Sequence, residues 1–393
     1  MNRTKECIAI LLSLPSFESF YGSGMHLTCE QYLSSYRNDF SFMYANALAE
    51  LGVDVYIYIP AWNCRGLHRI EERVFVRFLP LSPWCSLWRR FPQLSKTKYG
   101  RYLADYANAK GFLEPLRAGL AEDEASILYI QEYWTARFDY LVREAGIPVV
   151  GSDHGGKREG QLVFAKKKSF RKALAITCQT EDECSEVRAF DREPVLLMNG
   201  VDTSFYSPDP GAERRKTILI VARLTDRQKR VSDLIRAIEH LPEPWTLEIA
   251  GTGPDEGTLR ELSATLGISH RVVFLGFIAN KDAVRTLYQS CGVYCMPSQN
   301  EGIPLAILEA MSCGCSVVVT RIRAFESLVK NAETGFTVPV GAPKKLARAI
   351  EDAWNERERL GASARQFVVA NNSLSAMARK LQGIIQLGRL LRA

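Results

Sequence analysis

No stretch of this 393-residue chain approaches the roughly 18 uninterrupted apolar residues that a membrane-crossing helix needs. The first apolar run, Glu6 to Pro15, has strand length and lacks a small-residue cleavage site, so it reads as a first buried strand and the chain is expected to be cytoplasmic. Internal repeats and low-complexity tracts are absent, which argues against solenoid and disordered classes. A strong charge excess is missing as well: 50 Lys and Arg against 44 Asp and Glu leave a net charge of +6, spread along the chain. That balance offers no nucleic-acid tail and points only weakly to an anionic ligand. Zinc-like spacing is lacking too, since Cys291 and Cys295 are separated by three residues and Cys313 and Cys315 by one. All four sit in apolar patterns and read as buried free thiols, and no metal is expected.

What is present is core material. With 47% hydrophobic and 24% charged residues, a chain of this length suits about two domains. Strand-like runs alternate with helix-length amphipathic stretches throughout, which predicts an α/β fold of parallel sheets covered by helices. Strands are expected at 7–14, 53–59, 74–79, 126–131, 147–151, 174–178 and 195–198, and again at 217–221, 245–250, 271–275, 292–296 and 315–319. Helices in the first half are expected at 40–51, 96–120, 134–145 and 181–190. Turn-forming residues cluster from Asp202 to Gly211, so the domains are placed at 1–205 and 206–372, with an amphipathic helix at 373–393 expected to pack back on the first. Ligands of doubly wound sheets bind at the carboxyl ends of strands, so two such domains are expected to share one cleft.

The sharpest signal is Pro297 to Gly314. A strand ends at Met296, a loop presents Glu301 and Gly302, and a helix is expected to start with Pro304 in its first turn, where a missing N–H costs nothing. Backbone N–H groups of Gly302, Ile303 and Leu305 would then face an anion at the positive end of the helix dipole. Glu309, two turns in, suits a pair of ribose hydroxyls, and Glu301 suits sugar hydroxyls. Taken alone, two such carboxylates describe any capped helix with solvated acids.

The context decides otherwise. Asn199-Gly200-Val201-Asp202, Val221-Ala222-Arg223-Leu224 with Lys229, Ala250-Gly251-Thr252-Gly253-Pro254 and Phe274-Leu275-Gly276 precede Glu301 and Glu309 in an order that resembles glycosyltransferase family four and its E-x7-E motif, over most of residues 195–350. The resemblance implies the GT-B fold, two Rossmann-like domains facing across a cleft. It also implies a retaining, metal-independent transfer of a sugar from a nucleotide diphosphate donor to a glycan, lipid-linked or small-molecule hydroxyl acceptor, with no cofactor. UDP-sugar is the favoured donor and GDP-mannose the next. Arg223 and Lys229 would neutralise the leaving diphosphate, Gly253 would turn the chain at the donor site, and Phe277 and Ile278 would pass the base.

Several departures accompany this resemblance. Arg230 stands where the family usually has glycine after the lysine. Gly251-Thr252-Gly253-Pro254 lacks the third glycine of a dinucleotide fingerprint, which rejects NAD. His154, in Asp153-His154-Gly155-Gly156, resembles the family's histidine near the transferred sugar. The glycine pair expected after the first strand is replaced by an insertion, Phe17 to Asn38, whose Gly22-Ser23-Gly24 is a candidate donor or acceptor loop. Asp39 is then a candidate helix cap. Two runs, Trp84 to Phe91 and Lys166 to Lys172, mix aromatics with cations, which leaves peripheral contact with the inner face of a membrane open beside the commoner reading of a solvated surface. An epimerase on the same fold and an inactive binding subunit remain as rivals. The first fits the paired-glutamate context poorly. The second would normally have lost Arg223, Lys229 or Glu301.

Overall fold

A computed structural model describes residues 6–37, 40–83, 97–153 and 162–390. The chain divides into two compact units, one running to Met198 and resuming at Met377, the other spanning Asn199–Ala376.

The first unit is built on an eight-stranded sheet: β1 Cys7–Leu11, β2 Asp54–Ala61, β3 Leu67–Arg69, β4 Val74–Pro80, β5 Ile127–Gln131, β6 Val149–Ser152, β7 Ala175–Cys178 and β8 Val195–Leu196, in the order β3-β4-β2-β1-β5-β6-β7-β8. All pairs are parallel except β3 with β4. Every residue of β1 and β5 is buried, as expected of strands covered on both faces. The sequence reading missed β3, three residues with an exposed-intermediate-exposed pattern that offers no apolar period. It also joined two helices into one: Lys98–Gly111 and Leu113–Glu122 are separated at Phe112, a fully buried side chain in a non-helical conformation.

In the second unit the strands are β9 Arg215–Val221, β10 Thr246–Ala250, β11 Val272–Gly276, β12 Cys291–Met296, β13 Ser316–Thr320 and β14 Phe336–Val338, ordered β11-β10-β9-β12-β13-β14 and all parallel. Alternation along β9 feeds two cores: Ile218 and Ile220 pack on one face, Leu219 and Val221 on the other. Cys291, Cys295, Cys313 and Cys315 are free and buried in this sheet and its flanking helix, and the sulfurs of Cys291 and Cys315 lie 3.7 Å apart.

The helix Leu374–Leu390 belongs, from Met377 onward, to the first unit. Leu381, Ile384 and Ile385 are buried, and Lys380 donates to the Leu196 carbonyl. Arg389 pairs with Glu6 ahead of β1. Among the described residues no helix is long and apolar enough to cross a membrane.

Candidate functional site

In the second unit β9 has β10 and β11 on one side and β12, β13 and β14 on the other. At such a switch point the chain leaves neighbouring strands in opposite directions, which opens a crevice at their carboxyl ends. Two loops meet there, one following β9 at Val221 and one following β12 at Met296. Lys229 ends the short helix Asp226–Lys229 of the first loop, and its Nζ lies 2.6 Å from Glu301 Oε1 of the second. Both side chains are largely withdrawn from water, Lys229 at 15% and Glu301 at 6% exposure. The Gln299 N–H donates to the Gln228 carbonyl at 2.8 Å, and the Gln228 amide donates to the Asn300 carbonyl at 3.3 Å, so the loops are stitched by backbone as well as by charge.

Arg230 follows at φ 53°, ψ 39°, the left-handed conformation that glycine adopts without strain. The departure from the family pattern is thereby explained: the backbone keeps the shape a glycine would give, and the guanidinium turns to a two-point contact with Asp233 at 2.9 and 3.0 Å. Lys229 is left to Glu301.

Arg223 is exposed, and its side chain has no hydrogen bond or ion pair among the described residues. Its loop is held from below by glycines. A Cβ at Gly251, where φ is +137°, would sit 1.9 Å from the Ala222 carbonyl oxygen, and one at Gly253 would sit 2.3 Å from that of Leu224. The Leu224 N–H donates to the Thr252 carbonyl at 2.9 Å. Gly251 and Gly253 therefore lie against the backbone on either side of Arg223.

The helix Leu305–Ser312 starts one position later than the sequence predicts: Pro304 is its cap residue, extended at ψ 130°, and no side chain caps the first turn. The N–H groups of the first turn and the positive end of the dipole thus lie just after the loop that carries Glu301 and Gly302. The approach is fixed by Asn199, whose amide donates to the buried Ile303 carbonyl at 2.7 Å, and by Thr320, whose hydroxyl donates to the Ser298 carbonyl at 2.5 Å. Four residues into the helix, about one turn on and not the two the sequence suggests, Glu309 accepts from the Tyr288 hydroxyl at 2.9 Å and from Tyr206. Burial pushes the Glu309 carboxyl above its ordinary value, and the bonds from Tyr288 and Tyr206 and the charge of Lys281 pull it back down. Phe277 and Ile278 part company, Phe277 projecting outward at 53% exposure and Ile278 packing on the core.

Sites expected in the first unit fare differently. Gly22, Ser23 and Gly24 form no open loop. Gly22 is helical at φ −66°, Ser23–Met25 makes a helical turn, and the Ser23 hydroxyl and N–H both bond the Glu18 carbonyl. The nearby Glu18 carboxylate accepts from the backbone N–H groups of Trp62 and Asn63. Burial opposes ionisation there, yet those bonds prevail and hold the group below its ordinary value. His154, Gly155, Gly156, Asp39 and the run Trp84 to Phe91 lie outside the described residues. The cationic run 166–172 is not a uniform surface: Lys166 is fully buried, 2.9 Å from Asp139, while Lys167 and Arg171 pair with Asp191.

Sequence reasoning missed two features. Tyr206 and Tyr288 carried no signal, because nothing in their spacing points at Glu309. The disulfide Cys29–Cys64, with Cα atoms 6.2 Å apart, ties the insertion to the segment after β2. Among the described residues no group of three or more His, Cys, Asp or Glu is placed to hold a metal ion.

Two parallel-sheet α/β units, one of them with a Lys–Glu couple beside a helix start at its switch point, place the chain in the GT-B fold class. The profile described as glycosyl transferases group 1 matches residues 203–380, and that of glycosyltransferase family 4 matches residues 42–205. Between them the two matches run from residue 42 to residue 380, so the chain is similar to these glycosyltransferase families in both of its halves. It is similar, at 34% identity over 178 residues, to an uncharacterised glycosyltransferase of Methanocaldococcus jannaschii, covering 44% of this chain and 45% of that one. At 27% identity over 212 residues it is similar to a GDP-mannose-dependent α-(1-6)-phosphatidylinositol monomannoside mannosyltransferase of Mycobacterium tuberculosis, covering 48% and 55% respectively. The chain thus spans about half the length of these relatives. In fold it resembles the sucrose-phosphate synthase of Thermosynechococcus elongatus (TM-score 0.73, 18% identity, 99% and 100% of the two chains). It also resembles the Anabaena protein HepE crystallised with UDP (TM-score 0.68, 16% identity, 98% and 100%).

Proposed function

We propose that this chain is a retaining, metal-independent glycosyltransferase that binds a nucleoside diphosphate sugar on its second unit and passes the sugar to a hydroxyl acceptor bound by its first. The observation that carries the reading is the Lys229–Glu301 contact at the uncapped helix start. A cation for the leaving diphosphate and a carboxylate for the sugar stand side by side at a switch point. Arg223, exposed and unpaired among the described residues, adds the second cation.

In this reading the bond from the anomeric carbon to the β-phosphate oxygen breaks as the bond to the acceptor oxygen forms on the same face. The departing phosphate takes the acceptor's proton, so no protein base is required. Arg223, Lys229 and the N–H groups at the start of Leu305–Ser312 stabilise the charge that develops on the phosphate. Glu301 holds sugar hydroxyls and Glu309 the ribose. No cofactor is needed beyond the donor. UDP-sugar is favoured, in keeping with the UDP bound to a protein of the same fold. GDP-mannose is the alternative, in keeping with the mycobacterial relative, whose phosphatidylinositol mannoside acceptor also makes a lipid-linked acceptor a reasonable class.

The test is thermal stabilisation by UDP-, GDP- and ADP-sugars with a chelator present, on wild type and Lys229→Ala. A shift with one nucleotide that Lys229→Ala abolishes supports the site and names the base. No shift with any donor at millimolar concentration sinks the reading.

A further inference from the structure

Glu309 is approached by two tyrosines that core packing alone does not require. Tyr288, fully buried on the helix Lys281–Ser290, donates to Glu309 Oε2 at 2.9 Å. Tyr206, buried in the segment before β9, bonds the same carboxylate. The two rings meet edge to face at 6.1 Å, and Tyr294 of β12 meets Tyr288 at 5.7 Å. Their backbones are fixed as well. The Tyr206 carbonyl accepts from the Ser312 hydroxyl at 2.5 Å, and the Tyr288 carbonyl accepts from Cys315 Sγ at 2.9 Å and Arg214 Nη1 at 3.1 Å. Phenylalanine would fill the same space without a buried hydroxyl to satisfy, so two phenols converging on one carboxylate mark a group whose position matters.

That carboxylate lies four residues into the helix whose first turn is the proposed phosphate site, about 6 Å along its axis, the scale of a ribose and its phosphate link. We propose that Tyr206 and Tyr288 are positioning residues of the donor site, holding the Glu309 carboxylate as the acceptor of the ribose hydroxyls. The inference rests on the ribose reading of Glu309.

The groups facing Glu309 are Tyr206, Tyr288, Tyr294 of β12, Cys313 beyond the helix end, and Lys281. Burial drives the Glu309 carboxyl up, and the two phenol bonds are what chiefly oppose it. Removing a phenol therefore raises that group further. The charged acceptor is then lost at a higher pH, so the acid limb of nucleotide binding moves upward.

The experiment measures calorimetric affinity of the intact chain for UDP, GDP and their 2′,3′-dideoxy forms through the acid range. Wild type, Tyr206→Phe, Tyr288→Phe, the double Phe variant and Glu309→Ala are compared. The expected result with the preferred base is a loss of about tenfold or more in the double Phe variant. Affinity for the dideoxy form should stay within about twofold of wild type, and the acid limb should shift upward for the full nucleotide. Equal losses for both ligands, or no loss for either, would overturn the positioning role. Equal affinity of wild type for the two ligands would instead overturn the ribose assignment and the inference with it. Circular dichroism of the Phe variants separates either outcome from misfolding.

Discussion

The Lys229–Glu301 contact offers the most direct test, because removing either partner should affect the fold and the chemistry by different amounts. Lys229→Ala strands Glu301, a carboxylate with 6% exposure, while Glu301→Ala strands a cation on a flexible stem that already keeps 15% exposure and can turn to water. Breaking a buried pair costs about 3–5 kcal/mol, and the residual exposure of the pair puts Lys229→Ala at or just below that range, about 2–3 kcal/mol, with Glu301→Ala costing about 1 kcal/mol less. In a unit of about 180 residues each kcal/mol moves Tm by about 2–4 °C, so Lys229→Ala should lower the transition of the second unit by roughly 5–10 °C. The double variant should melt close to the milder single one, giving a coupling energy of about 2 kcal/mol in a double-mutant cycle. All three variants should lose donor-induced stabilisation and sugar transfer. Scanning calorimetry of the four proteins decides the matter: strictly additive shifts in Tm would mean that the two side chains do not interact in solution, and the argument for a preassembled donor site would fall.

Gly251→Ala should cost about 3 kcal/mol or more and abolish transfer, because its methyl would meet the Ala222 carbonyl at 1.9 Å in a backbone already at φ +137°; a melt together with an activity assay checks both. At position 230, Arg230→Gly should be more stable than Arg230→Ala by about 1 kcal/mol, since both lose the Asp233 contact but only alanine keeps the left-handed strain; chemical denaturation gives the difference. Reduction, or Cys29→Ser with Cys64→Ser, should lower the melting transition of the first unit, with an upper bound of about 4 kcal/mol for a crosslink across 35 residues and little effect on nucleotide affinity.

The buried parallel strands were legible because continuous apolar runs such as Ile8–Leu12 and Val317–Val319 admit few other placements. The edges were not. β3 pairs through backbone with two exposed residues, and β14 is only three residues long, so neither carries a periodic signal. At the candidate site the loops and their cations could be read from the order of short motifs, whereas the contacts among them could not. That Lys229 meets Glu301, and that Tyr206 and Tyr288 converge on Glu309, depends on which strands are neighbours, and sheet order is a long-range property. Arg230 shows the same limit from the other side. Its identity departed from the family pattern, but only the backbone angle showed that the departure left the turn intact.

The return of the helix Leu374–Leu390 to the first unit also sets a schedule for synthesis. Its backbone packs so closely that a Cβ at Gly388 would come within 2.8 Å of Ile127 in β5, and Leu381, Ile384 and Ile385 are part of the interior. A nascent chain that has reached Met198 therefore holds a sheet whose cover is not yet translated, and about 180 further residues must emerge first. At typical elongation rates the interval is roughly 10–40 s. During that time the later-encoded unit, continuous in sequence, can complete itself, so the order of folding on the ribosome is expected to run opposite to the order of the genetic message, with uncovered apolar surface near β5 offered to chaperones in between.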